Sequence, residues 1–370
     1  MGRSWKWLLP AVPLALLAAC SEQPTAPASD AALAPAAARA AMHADAAVYT
    51  VRDLGTLGGT YSEGRAVNGK GWVVGGSTLA TGEQHAFLWR DGHMIDLGTL
   101  GGTYSRALGI NDDGEIVGAA SLAGDLVDHA FLWRHGRMHD LGGLGGGYAE
   151  GFAINEDGDV AGGGLTPDGA FYAVLWRHGR IKNLGALGGT SSWSNGINDE
   201  DAVVGGAALD AANSVWHAFI WKRGVMHDIG TLGGNSGGAS YINGSGAVVG
   251  GSTTAGDATT HAFLWHHGRM HDLGTLGASY VISYAQWIND AGQVAGGSCL
   301  AGWFPCHAAV WYRGGVSDLG TLPGAAEDWS WAQSVNDRGW VAGSSVTAAG
   351  DEHAVLWIPQ DHDRRDGDHR

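Results

Sequence analysis

Basic residues are scarce: 21 Lys and Arg face 37 Asp and Glu, for a formal charge of −16. A phosphate backbone needs clustered cations, so a nucleic-acid surface is excluded. Cysteine is scarcer still, with three in 370 residues, too few for a disulfide framework, and the 45% hydrophobic content must supply the core instead. Of nine prolines, five come before residue 48. Beyond that point no helical spacing of apolar residues persists over ten positions, which leaves no amphipathic helix to build with. Long hydrophobic runs are missing too, because the apolar stretch 8–19 is too short for a comfortable membrane span.

What the chain has is repetition. The Trp that closes His-Ala-Phe-Leu-Trp recurs as Trp89, Trp133, Trp176, Trp221, Trp265, Trp311 and Trp357, at steps of 44, 43, 45, 44, 46 and 46 residues. A second marker, Asp-Leu-Gly or a near relative, starts at Asp53, Asp96, Asp140, Asn183, Asp228, Asp272 and Asp318, in phase with the first. A period in the low forties is the length of one four-stranded propeller blade, whereas solenoid repeats of that length are helical. Short runs of β-formers divided by Gly, Asn and Asp decide for strands. In the second copy they predict strand A over 106–111, B over 115–121, C over 129–134 and D over 138–142. Asn opens the A-to-B link in every copy (Asn68, Asn111, Asn155, Asn198, Asn243, Asn289, Asn336), in the manner of a tight hairpin turn. A Gly follows seven residues later each time, from Gly75 to Gly343, and predicts close backbone approach between adjacent sheets. Four residues before the Asn stands only Gly, Ala or Ser, which suits strands crowded around an axis.

The array opens with a lone D strand over 49–55 and finishes with an A, B and C that have no D, ending at Trp357. One spare strand and one missing strand predict an all-β, seven-bladed β-propeller over residues 48–360. Each blade has four strands, and the ring is closed by pairing of the N-terminal outer strand with the C-terminal blade. Residues 361–370 are expected to be a charged disordered tail.

These residues resemble the HAF repeat. His-Ala-Phe is intact at His85, His129, His217 and His261 and lapses to Tyr172-Ala-Val, His307-Ala-Ala and His353-Ala-Val, over about 310 residues in all. The resemblance implies a bacterial, extracellular repeat fold and brings no catalytic residues with it. Residues 1–20, with Arg3 and Lys6 ahead of the apolar run and Leu17-Ala18-Ala19-Cys20 at its end, resemble a lipoprotein signal peptide with a lipobox. That resemblance implies that Cys20 is lipidated and becomes the first residue, and Ser21 behind it points to the outer membrane or cell surface; an ordinary secretory signal is the alternative. Residues 21–47, rich in Ala, Pro and Ser, are expected to form a disordered tether with a reach of roughly 30 Å, leaving the Cys20 lipid as the only membrane contact.

The recurring histidines are expected to bond a neighbouring backbone rather than share a metal. Packed sheets stand about 10 Å apart, against a Zn–N bond of about 2 Å. His139-Asp140, His227-Asp228 and His271-Asp272 on the outermost strand are expected to be solvated. The Asn-Asp-Asp-Gly turns echo calcium loops, but Asn243-Gly-Ser-Gly and Asn68-Gly-Lys-Gly stand at the same position without a carboxylate, so no metal or cofactor is expected.

Specific chemistry should sit where the copies differ. The D-to-A and B-to-C loops share one face. On the D-to-A side the variable residues are Trp193, Tyr280, Tyr284, Trp287, Trp329 and Trp331, with Glu327 and Asp328. The B-to-C side contributes Asp210, Trp216, Trp303 and Phe304. Aromatics with a few carboxylates suit sugar rings or peptide side chains; the alternative is that they pack the loops together. Cys299 and Cys306 bracket Trp303 and Phe304, and an exported chain allows a disulfide there, with reduced thiols as the alternative. The expectation is a monomeric binding or scaffolding module for glycan or protein, without catalysis. Its rivals are a carbohydrate hydrolase or lyase in the central funnel, with Glu327 and Asp328 as its acids, and a purely structural envelope protein.

Overall fold

A computed structural model describes residues 48–277 and 279–360. The signal segment 1–20 with Cys20, the tether 21–47 and the tail 361–370 lie outside the described residues. Those described form 28 β-strands and one short 3-10 turn, and no helix among them is long and apolar enough to cross a membrane.

Each copy of the repeat folds as an antiparallel meander. In the second copy A is Gly101–Ile110, B is Ile116–Leu122, C is Asp128–Arg134 and D is Arg137–Gly142. Strand A starts earlier than expected because the chain already pairs at Gly101, opposite Leu122, and resumes regular pairing at Ser105. Consecutive groups of four also touch through parallel pairs between the C strand of one and the A strand of the next, Gln84 with Tyr104 and Trp216 with Ser236. The last copy supplies Ser330–Val335, Val341–Val346 and Glu352–Pro359, and its fourth strand comes from the other end of the chain. Tyr49–Asp53 pairs antiparallel with Glu352–Pro359, from Tyr49 opposite Pro359 to Asp53 opposite Val355.

Burial follows strand position. B strands such as Val73–Leu79 are buried on both faces, while the D strand Arg180–Asn183 is exposed throughout. The core therefore lies between sheets: Val117 and Ala130 of the second copy pack with Val160, Val174 and Trp176 of the third. Phe87, Phe131, Phe219 and Phe263, the Phe of each intact His-Ala-Phe, are fully buried. That burial explains why the motif is apolar after its first residue.

The glycine seven residues after each Asn has a reason within its own sheet beside the approach of adjacent sheets that was expected. A bulge interrupts every A-to-B pairing, as between Gly64 and Ala66 or between Ala107 and Gly109. It drives an A-strand carbonyl onto the glycine opposite. A Cβ on Gly75 would lie 1.8 Å from the Glu63 carbonyl oxygen, one on Gly118 would lie 1.9 Å from that of Arg106, and one on Gly343 would lie 2.0 Å from that of Trp331. The tightest crowding is thus within one sheet. Adjacent sheets also approach at this glycine, through the small residues four before the Asn: a Cβ on Gly64 would stand 2.8 Å from the Gly343 carbonyl oxygen.

Candidate binding face

Nearly every recurring polar residue is used to join strands. His85, His129, His217, His261, His307 and His353 each place Nδ1 2.7 to 2.9 Å from a carboxylate, that of Asp96, Asp140, Asp228, Asp272, Asp318 and Asp53 respectively. The partner is therefore the Asp of the Asp-Leu-Gly marker on the D strand, not a neighbouring backbone as expected. Asp140, Asp228 and Asp272 are half-exposed, yet each is clasped and not merely solvated. Each of these six carboxylates also accepts the amide of the Gly two residues on, as Asp140 does from Gly142 at 2.7 Å.

The recurring Asn does more than turn the chain. Its Oδ1 accepts the amide four residues on, as from Trp72 to Asn68 at 3.0 Å, and its Nδ2 donates to the main-chain carbonyl of the Asn in the next copy. Those inter-copy bonds measure 2.8 to 3.3 Å at all seven positions, and Asn336 donates to Asn68, so the series returns to its start. Carboxylates beside the Asn serve the same joints: Asp112 accepts the Gly69 amide at 2.6 Å and Asp199 accepts that of Glu156 at 3.0 Å. Among the described residues no three of His, Cys, Asp and Glu gather as a metal would require.

The opposite face, where B-to-C and D-to-A loops meet, holds most of the aromatics expected there. Cys299 and Cys306 form a disulfide. Ile282 packs with the pair, and Trp329 and Trp331 cover this small cluster half-buried. On the loop between the cysteines, Trp303 is 45% and Phe304 57% exposed, the most solvent-facing rings of the proposed set. Trp193 and Trp216 lie with ring centroids 4.6 Å apart, and Trp216 donates from Nε1 to the Asn213 carbonyl at 2.8 Å. Trp287 does not belong with them. It sits near the end of its A strand, two residues before Asn289, stacked on Tyr241 at 3.5 Å and packed against the core. Counting backwards from the Asn places it at the A-to-B end, away from the loops. Asp328 is held by His307, whose Nε2 lies 3.0 Å from Asp328 Oδ1, while the Nδ1 bond to Asp318 does most to raise the imidazole pKa.

A second group of residues was not singled out from the sequence. The A-strand position five before the Asn reads Glu63, Arg106, Glu150, Trp193, Gly238, Tyr284 and Trp331 around the copies. In three consecutive copies it is charged, and Glu63 and Glu150 are buried. Arg106 forms an ion pair with Glu150 and donates to the Tyr148 hydroxyl at 3.3 Å; Arg65 Nε lies 3.6 Å from Glu63 Oε1. Burial opposes the charge on Arg106, but Glu150, Tyr104, Tyr148 and Glu63 together outweigh it and keep the guanidinium protonated. Burial raises the phenols of Tyr61, Tyr104 and Tyr148, each two residues before a charged member. Glu352, at the start of the last C strand, is pushed up to about 7 by burial and by Glu63. In later copies the same position carries rings laid flat over glycine. A Cβ on Gly206 would meet the Trp193 ring at 2.4 Å, one on Gly251 the Tyr284 ring at 2.1 Å, and one on Gly297 the Trp331 ring at 2.3 Å. The legible signal was a variable column inside an otherwise repetitive strand; attention to loops alone passes over it.

No protein-family model and no characterised protein sequence matches the chain. Among solved structures it is similar to a putative TolB from Agrobacterium tumefaciens, at 14% identity over 82% of this chain and 100% of that one, with a TM-score of 0.45. TolB from Acinetobacter baumannii matches at 11% identity over 82% of this chain and 68% of that one, TM-score 0.48. A mutant Aleuria aurantia lectin in complex with Fucα1-6GlcNAc matches at 11% identity over 82% and 94%, TM-score 0.39. Likenesses this remote assign no ligand or activity to the chain.

Proposed function

We propose that the chain is an exported, lipid-anchored, closed seven-bladed β-propeller that binds glycan or protein through the face where B-to-C and D-to-A loops meet. One observation carries this reading. The recurring polar residues (His, Asp, Asn and the turn carboxylates) are consumed in joints, whereas the residues that vary collect on one face and the inner wall beside it. Closure is supported by the Asn series that ends where it began and by the Asp53 to His353 clasp, which joins opposite ends of the chain. The HAF-repeat resemblance and the Cys20 anchor belong to the same proposal and are carried by the sequence motifs alone. A monomer is expected, since the outer D strands that remain as sheet edges are short, four residues in Arg180–Asn183 and in Gly315–Asp318.

The test uses the full chain on a glycan array and in pull-downs from envelope extracts, with Trp303→Ala and Phe304→Ala beside wild type. Loss of the captured ligand by at least about tenfold in either variant supports a rim-binding module, since exposed aromatic anchors carry most of such affinities. Ligand capture unchanged in both variants would remove the rim from the account. Labelled fatty-acid incorporation abolished by Cys20→Ala tests the anchor.

A further inference from the structure

We propose that the inner wall formed by Glu63, Arg106, Tyr148 and Glu150, with Trp193 and Trp331 at the same A-strand level, is a subsite for a single uncharged pyranose. This rests on the reading of the chain as a ring-shaped binding module and names the ligand class of its interior. The framework does not need these charges. At the same strand position the remaining four copies manage with Trp, Gly, Tyr and Trp, and buried ion pairs can generally be replaced by apolar residues without loss of stability. Charge kept in three adjacent copies and absent from four is therefore placed for a ligand rather than for the fold.

The chemistry of the wall selects the ligand. Arg106 Nη2 pairs with Glu150 Oε2 and donates to the Tyr148 hydroxyl at 3.3 Å, which sets donors and acceptors side by side as vicinal hydroxyls require. Arg65 and Arg106 already face Glu63 and Glu150, so no guanidinium is left to balance an anionic ligand. A uronate, sulfate or phosphate would enter against the two buried carboxylates and is disfavoured. Trp193 and Trp331, held beside glycine backbone and half-buried, leave part of their ring surface exposed for the apolar side of a sugar ring.

The experiment is titration calorimetry with Trp fluorescence as a second readout, using neutral gluco-, galacto- and manno-oligosaccharides against galacturonate and glucuronate oligomers. Wild type should bind at least one neutral series and no uronate. Glu63→Gln and Arg106→Lys should each weaken that binding by about tenfold or more, while Trp303→Ala changes it less. Tyr148→Phe, which keeps the packing, supplies a milder loss of a fewfold and guards against unfolding of the buried-charge variants. If neutral sugars bind and only Trp303→Ala weakens them, the rim reading survives and the inner subsite fails. A preference for uronates, or no sugar binding by a chain that still captures a protein through the rim, also overturns it.

Discussion

The one copy that lacks the repeating histidine also lacks its partner. Tyr172 stands where the other six copies have His, and Asn183 stands where they have Asp. Asn183 still accepts the Gly185 amide at 2.8 Å, so the turn survives and only the reason for a carboxylate has gone. His and Asp are thus retained as a pair. Tyr172→His combined with Asn183→Asp should install a seventh clasp and stabilise by about 0.5 kcal/mol, with neither change helping alone. Urea unfolding of the four-member cycle measures the coupling, and simple additivity would show that the clasp contributes nothing. Glu352 makes a second prediction at this scale. The fold raises its carboxyl from 4.5 to about 7, so the folded chain binds this proton more tightly than the unfolded one. The associated stability is full below about 4.5 and is lost as pH rises through about 7. Glu352→Gln should therefore gain on wild type between pH 5 and pH 8, by an amount on the order of 2 kcal/mol. A pH-independent difference in unfolding free energy would mean that the carboxyl titrates normally.

At the scale of the strand, the repeat, its four β-segments and the unmatched D strand were legible because each rests on local pattern: period, turn composition and β-formers. Pairing partners were not legible, since whether His bonds a backbone or an Asp eleven residues on depends on sheet register, which the letters do not print. The same limit misplaced Trp287 and hid the inner charged column. Both follow once residues are counted back from the turn Asn, because the strand period then fixes depth along the wall. The bulge was invisible for a related reason: an extra A-strand residue looks no different until its carbonyl is found against glycine. That contact predicts a contrast. Gly118→Ala must displace a backbone carbonyl 1.9 Å from the new carbon and should cost about 3 kcal/mol. Gly82→Ala, in a turn with φ +93° and open space around it, should cost only about 1 kcal/mol. Thermal melts of the two variants decide the matter, and equal shifts would remove the bulge as the reason for the recurring glycine.

For the molecule as a whole, the proposed closure has a thermodynamic signature. In an open array of repeats, stability is a sum of units and nearest-neighbour joints, and the joints at the ends count least because the terminal repeats fray. In a closed ring no joint is terminal. Each Asn bridges two copies through Nδ2 and braces its own turn through Oδ1, so Asn→Ala should cost about 2 kcal/mol wherever it is made. The seam joint, Asn336 to Asn68, should then be as costly as an interior one, Asn198 to Asn243, although 268 residues separate its two partners. Asn336→Ala and Asn198→Ala should lower the urea midpoint equally, each with a single cooperative transition and an unchanged slope. An open seam would leave Asn336→Ala near wild type, and would split unfolding into steps as the first and last strands separate. The binding proposals share that outcome, because only an unbroken ring brings Glu63 of the first copy to the same wall as Trp331 of the last.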